Sequence, residues 1–305
     1  MIPSFPNFKK IEIRDRPKIS AFLTSRKPSS DFNFTNLWCW DTQSRRRIAL
    51  LNGNLVVLFT DYLTNETVLS FCGKNKPVST ARELLAYAKE HRLSPELRYI
   101  PESCARRFRR SSLHLIPDRG NHDYIYSTKE IARSEGSRFK KKRQQANRFI
   151  REYPEAAFRI EDLTDPAVQT HVIATLRRWQ HMKGMRAAPD EIEHETVALK
   201  RLLETARDHE VILSAIYLKD KMLAFSVDEI LSGSYAISHF LKADASYKGV
   251  YEYLNQMTAA YLLKRGVRYW NWEQDLDIAG LRQLKISYRP VELLKKYRLT
   301  LATGS

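Results

Sequence analysis

Apolar residues along this chain fall into short blocks separated by turn signals, and the order of the blocks between residues 48 and 127 returns after residue 211. In the first stretch IALL and LVVLFTDY (48–62) flank Asn52-Gly53, a pair suited to a tight turn, and predict a β-hairpin. TVLSFCG (67–73) predicts a third strand. STARELLAYAKEH (79–91) predicts a helix with Ser79 or Thr80 as N-cap and Leu84, Leu85 and Ala88 on one face. LRYIPES (97–103) reads as a strand, CARRFRR as a short helix and HDYIYS (122–127) as a final strand.

The second stretch repeats this order. VILSAIY and MLAFSVDEI within 211–230 form a hairpin, and SYAISHFL (234–241) a third strand. YEYLNQMTAAYLLKRG (251–266) follows as a helix, its apolar positions Val250, Tyr253, Leu254, Met257 and Tyr261 spaced by threes and fours, with Gly266 fitting the C-cap. VRYWNW (267–272) is the next strand, IAGLRQLKISY (278–288) the next helix, and VELLKKYRLTL after Pro290 the last strand. The repetition is one of architecture, since the residues hardly match. Between the stretches lie a basic segment, SRFKKKRQQANRFIR (137–151), and two amphipathic helices, 166–184 and 191–210. A helix pair before a meander is the order of an N-acetyltransferase-type (GNAT) domain. Two α/β domains are therefore expected, 1–150 ending in the basic helix and 151–305, each a mixed, mostly antiparallel sheet flanked by helices.

Composition narrows the function. The 305 residues include 51 Lys and Arg against 35 Asp and Glu, a net charge of +16 that favours a polyanionic partner: RNA, a nucleotide cofactor or an anionic lipid surface. No window has the ~18 uncharged apolar residues of a membrane span, and the first residues lack a signal-peptide core, so a cytoplasmic protein is expected. Cys39, Cys72 and Cys104 are scattered and odd in number, which reads as reduced thiols. IEHETVALK around His194 starts like a zinc-protease helix but has Ala198 where the second histidine belongs, and no metal site is expected.

Three constellations carry candidate chemistry. In KADASYKGVYEYL (242–254) a strand gives way to a helix at about Val250; unsatisfied N–H groups at that helix start, Gly249 for close approach and Lys248 for charge make a phosphate cradle. In WNWEQDLDIAGLRQLKISYRP (270–290) the polar residues Asn271, Glu273 and Asp275 alternate from a strand end and so share one face, while Arg282 and Lys285 are neighbours on the following helix. That group is either a solvated ion-pair cluster or a polar site that holds a donor and orients an amine. In the basic helix, Ala146, Phe149 and Ile150 fall on one face with Arg143 beside them, and a buried arginine there needs an acid or a phosphate.

The run Asn271-x-Glu-x-Asp275, then Gly280-Leu-Arg282-x-x-Lys285-x-Ser-Tyr288-x-Pro290 and Leu293-x-x-Lys-Tyr297, resembles the C-terminal signature of the phosphatidylglycerol lysyltransferase C-terminal domain family. The segments Gly136 to Phe149 and Tyr247 to Leu254 resemble that family too. Asp277 stands where a glycine is common, and Gln144 where an asparagine is common. The resemblance is strongest to soluble stand-alone members. It implies a tandem GNAT fold and kinship with enzymes that move an aminoacyl group from charged tRNA to a lipid, and more distantly with Fem-type peptidyltransferases. The many-helix membrane region of the lipid-modifying relatives is not in this sequence, which points away from lysinylation of phosphatidylglycerol.

The expected function is acyl or aminoacyl transfer to an amine or hydroxyl on a small-molecule, lipid or peptide acceptor. The donor would be aminoacyl-tRNA or acyl-coenzyme A, with no tightly bound cofactor. Lys248, Gly249, Lys141, Lys142 and Arg143 would hold the donor. Asn271, Glu273 and Asp275 would orient the acceptor, Arg282 and Lys285 would neutralise charge, and Tyr288 would transfer a proton. The alternative is a non-catalytic module that binds RNA or a nucleotide on the same fold.

Overall fold

The computed structural model of the chain describes all residues except 24–26, 28, 62–65, 109–110, 184–188, 232–233 and 302–305. Tyr62, Gly184 and the Arg109–Arg110 pair of the expected elements lie outside the described residues.

The Asn52-Gly53 turn joins β2 (Arg47–Leu51) to β3 (Asn54–Thr60), with Asn52 at φ 54° and Gly53 at φ 73°, the left-handed pair a type I′ turn needs. Around this hairpin Met1–Asp123 forms one unit, completed by Gln274–Ala279 and Leu293–Ser305. Its elements are β1 (Lys9–Lys10), α1 (Arg16–Ala21), α2 (Phe34–Cys39), β2, β3, β4 (Thr67–Cys72), α3 (Pro77–Glu90), β5 (Leu97–Pro101), α4 (Glu102–Ala105) and β6 (Leu113–Pro117). The second unit, Tyr124–Glu273 with Gly280–Glu292, begins in β7 (Asp123–Ser127), α5 (Thr128–Arg133), α6 (Lys140–Glu152) and β8 (Ala157–Glu161). It continues through α7 (Pro166–Lys183), α8 (Pro189–Glu204), β9 (Val211–Leu218), β10 (Lys221–Ile230), β11 (Tyr235–Ala243), α9 (Val250–Lys264), β12 (Tyr269–Asn271) and α10 (Ala279–Ser287). β13 (Glu292–Leu294) and β14 (Lys296–Leu301) close the chain.

Among the described residues the strands make two sheets, ordered β1-β2-β3-β4-β5-β14-β6 and β13-β7-β12-β11-β10-β9-β8. In each, four antiparallel strands (β1 to β4 and β8 to β11) are followed by one parallel pairing, β4 with β5 and β11 with β12. An antiparallel strand comes next, β14 beside β5 and β7 beside β12. This is the repeated GNAT-like order that the sequence pattern implies.

The boundary between residues 150 and 151 is corrected. HDYIYS does not end the first sheet; it pairs with β12 in the second, and α6 packs there through Phe149 against Ile216, Leu223 and Leu254. Conversely, β14 sits between β5 and β6 in the first sheet. The pattern after Pro290 also resolves into two strands, β13 and β14, rather than one. Strands β6 and β8 have no counterpart in the sequence reading.

Strand alternation buries both faces of the first sheet. Ala49, Val56, Leu69 and Phe71 meet α3 through Leu84, Leu85 and Ala88, while Ile48, Leu55, Val57 and Val68 meet Ile19, Phe34 and Leu37 on the other side. Among the described residues no helix is long and apolar enough to cross a membrane.

Candidate functional site

In the second unit the parallel pairing of β11 with β12 covers only Tyr235↔Tyr269, Ala236↔Trp270 and Ile237↔Asn271. β11 runs on to Ala243 while β12 stops at Asn271, so the sheet opens at that point. A bulge marks the same place: Val227 pairs with Phe240 but Asp228 pairs with Ser238, leaving His239 as the extra residue on β11.

The strand-end residues are held from several sides. Asn271 is fully buried, and its Oδ1 accepts from the Glu273 N–H at 2.7 Å. Glu273 has φ 58°, a left-handed conformation that a glutamate adopts only when its surroundings impose it. Here Asn271 holds its N–H, and the Glu273 carbonyl accepts from Tyr124 N at 3.1 Å. The turn ends the extended alternation that was to place Asn271, Glu273 and Asp275 on one face. Leu276 and Asp277 are also left-handed, at φ 53° and 58°.

Asp275 therefore does not share the strand-end face expected of it. It belongs to the first unit, where its carboxylate accepts from Asp277 N at 2.9 Å and pairs with Arg119 at 3.2 Å. A fully buried carboxylate so engaged shapes the turn.

Lys285 lies on the buried side of α10, and its ammonium donates to the carbonyl of Trp272 and sits 5.6 Å from the Tyr124 ring centre. The Lys285 carbonyl accepts from the Tyr126 hydroxyl at 2.8 Å, which ties the end of α10 to β7. Arg282, one turn earlier on the same helix, is half-buried.

Tyr288 is buried, and burial pushes its phenol well above the ordinary range, with the Glu252 carboxylate adding to the shift. Its oxygen accepts from Asn255 Nδ2 at 3.1 Å, and its ring packs edge-on to Trp272 with centres 4.9 Å apart. A phenol so held is a poor proton carrier near neutral pH.

Of the donor candidates, Lys142 comes closest to this group. Its ammonium lies 3.9 Å over the Tyr288 ring and 3.3 Å from Glu252 Oε1, and burial lowers its pKa. The Arg143 guanidinium donates to the carbonyls of Ser134 and Gly136. Ile150, expected on the apolar face, is 42% exposed, so Ala146 and Phe149 alone carry that face. Lys141 is exposed on α6, as Lys248 is in the loop before α9.

Gly249 caps α9 at φ 88°. A Cβ there would stand 2.0 Å from the Gln145 carbonyl oxygen, so the glycine lets α9 abut α6. Gly249→Ala is expected to cost at least ~2 kcal/mol of unfolding free energy by urea titration, with Lys248→Ala within ~0.5 kcal/mol of the wild type. In the first unit the corresponding loop is occupied from within: Asn54 Nδ2 donates to the Asn75 carbonyl at 2.7 Å, Asn75 N to Asn54 Oδ1 at 3.1 Å, and Pro77 opens α3 without an N–H.

The sequence reading missed a buried ionic group at the bulge. His239, 5% exposed, has Nε2 3.0 Å from Glu229 Oε2 and Nδ1 3.6 Å from Glu273 Oε1. Burial alone would lower its pKa, but the two carboxylates outweigh it and raise it to about 9. Next to Glu229 on β10, Asp228 accepts from Ser226 Oγ at 2.7 Å and Trp270 Nε1 at 2.8 Å, and burial raises it to about 6. The available signal was polar residues inside otherwise apolar strands, VDEI and ISHF. Glu252 and Asn255 were missed because they sit on a helix read only for its apolar stripe. Among the described residues no three His, Cys, Asp or Glu side chains gather as a metal site.

The family described as phosphatidylglycerol lysyltransferase, C-terminal, matches residues 23–300. The chain belongs to this family. A conserved protein of unknown function from Bacteroides thetaiotaomicron VPI-5482 is 25% identical, with 99% of this chain and 100% of that one covered at a TM-score of 0.84. L-PGS from Bacillus licheniformis is 14% identical with 100% and 95% covered at a TM-score of 0.64, a likeness of fold. An uncharacterized protein of Mycoplasmoides gallisepticum is 23% identical over 178 residues, and the match spans about half of that relative (54%) and 57% of this chain. Of the signature residues, Asn271, Glu273 and Lys285 lie in the second unit, and Asp275 and Lys296 in the first.

Proposed function

We propose that the chain transfers an acyl or aminoacyl group from a phosphate-bearing donor to an amine or hydroxyl, at the opening between β11 and β12. The observation that carries this reading is the termination of their pairing at Ile237↔Asn271, with Glu273 and Lys285 at the strand end where the sheet parts. Membership in a lysyltransferase family supports aminoacyl-tRNA as the donor and the GNAT-like fold supports acyl-coenzyme A; the +16 charge suits both.

In the reaction the acceptor nitrogen or oxygen attacks the donor carbonyl carbon. The ester C–O or thioester C–S bond breaks, and the leaving oxygen or sulfur takes up the proton that the attacking group releases. Glu273 receives the proton of the attacking group and orients it, as a carboxylate within reach of an amine can. Lys285 and Arg282 place positive charge near the developing oxyanion. Tyr288 serves by supporting Lys142 rather than by moving a proton. Lys248 and the start of α9 receive donor phosphate.

The exposed cations of α6 are Lys140, Lys141, Arg148 and Arg151; Arg148 pairs with Glu152, which leaves Lys140, Lys141 and Arg151 to meet a polyanion. Lys142 and Arg143 are engaged by Glu252 and by backbone carbonyls. Lys140, Lys141 and Arg151 replaced together by Ala are expected to weaken binding of bulk tRNA and to lower the log–log salt slope by about 2–3. Binding of coenzyme A alone, with no affinity for tRNA at low salt, would make acyl-coenzyme A the donor. Binding of tRNA without turnover would favour the non-catalytic RNA-binding reading.

A further inference from the structure

We propose that His239 is a positioning residue, set in the β11 bulge so that its imidazolium, anchored on Glu229, holds the Glu273 carboxylate at the opening between β11 and β12. This rests on the reading of Glu273 as the group that engages the acceptor.

Three observations converge on it. The bulge falls within two residues of the last β11–β12 pair, so the residue it displaces is the one at the opening. A bulge commonly serves to re-aim a side chain in this way. Both ring nitrogens of His239 face carboxylates, Glu229 Oε2 at 3.0 Å and Glu273 Oε1 at 3.6 Å, from two different elements. Asn271 meanwhile fixes the backbone of Glu273 in its left-handed turn, so backbone and carboxylate are held by separate residues. The cost of burying an imidazolium and a strained glutamate side by side is hard to explain for a scaffold that an apolar pair would stabilise as well.

The titratable groups bearing on His239 are Glu229 and Asp228 of β10 and Glu273 beyond β12. With its pKa raised to about 9, His239 carries both N–H groups at neutral pH and reaches both carboxylates. As the pH rises through about 9 it loses one proton, and one of the two contacts loses its donor.

The test uses the full chain with ethylamine as acceptor and either bulk aminoacyl-tRNA or acetyl-coenzyme A as donor. His239→Gln is expected to lower kcat about 10–100-fold with KM within about twofold, and to remove the alkaline fall in kcat that the wild type shows near pH 9. His239→Gln added to Glu273→Gln is expected to cost no more than a few-fold beyond Glu273→Gln alone, because both act through one carboxylate. Retention of wild-type kcat and of the alkaline limb by His239→Gln, while Glu273→Gln alone is inactive, overturns the proposal.

A second measurement stands apart from turnover: the NMR titration of the His239 ring in the wild type and in Glu273→Gln. A midpoint lowered by about one unit in Glu273→Gln upholds the His239–Glu273 linkage, and an unmoved midpoint overturns it. If the wild type consumes neither donor, the transferase reading fails, and the titration still decides whether His239 holds Glu273. The same titration decides if His239→Gln does not fold.

Discussion

Glu273→Gln is expected to reduce transfer by ~10²–10³ in kcat while the protein stays folded. The substitution keeps the size of the side chain and its left-handed backbone, whose N–H and carbonyl bonds to Asn271 and Tyr124 do not involve the carboxylate. It removes the basicity that accepts the acceptor's proton. Matching urea midpoints alongside a loss of turnover would support the assignment, and turnover within threefold of the wild type would refute it. Lys285→Ala is a less clean probe. The Lys285 ammonium is nearly buried and donates to the Trp272 carbonyl, so its removal disturbs the strand end as well as any charge it supplies.

Lys296→Ala is expected to be the most damaging substitution for the first unit, costing ~3–5 kcal/mol of unfolding free energy in urea. Lys296 is fully buried, with Nζ 2.5 Å from Asp31 and 2.6 Å from Asp123, and Ser30 donates to Asp123 at 2.7 Å. Burial pulls the Lys296 pKa down, but the two carboxylates outweigh it and raise it; burial lifts Asp31 to about 6. Without the ammonium two carboxylates face each other in the core. The triple change Lys296→Met with Asp31→Asn and Asp123→Asn should recover most of the loss, since it removes the unpaired charges together. A Lys296→Ala variant within ~1 kcal/mol of the wild type would mean that water reaches the group.

Much of this architecture is legible in the sequence because periodicity reports which residues share a face. The Asn52-Gly53 hairpin and the helix and strand that follow β11 are legible from spacing, but of the expected α9 stripe only Val250 and Leu254 are buried, the buried face running on through Asn255, Thr258, Ala259 and Leu262. Strands β6 and β8 escaped because most of their positions are only partly buried or exposed and show weak alternation. The exchange of β7 and β14 between the sheets escaped for a different reason. A local pattern predicts a strand but not its partner, and the residue that seats β14, Lys296, looks like a surface charge. At the site, Asn271 and Glu273 were visible as polar positions at a strand end. The left-handed backbone at Glu273 then breaks the alternation before Asp275, which falls in the other unit, and residue type does not reveal such a turn. His239 and Glu229 were hidden by their placement within apolar strands.

Whether the second unit takes a phosphate-bearing acyl or aminoacyl donor is decided by what the purified protein retains at low salt. Absorbance ratio and mass spectrometry of the protein after exposure to bulk aminoacyl-tRNA and to acetyl-coenzyme A would report it. One of the two is expected to be retained and to be lost with rising ionic strength. A protein that retains neither donor at low salt would contradict that expectation.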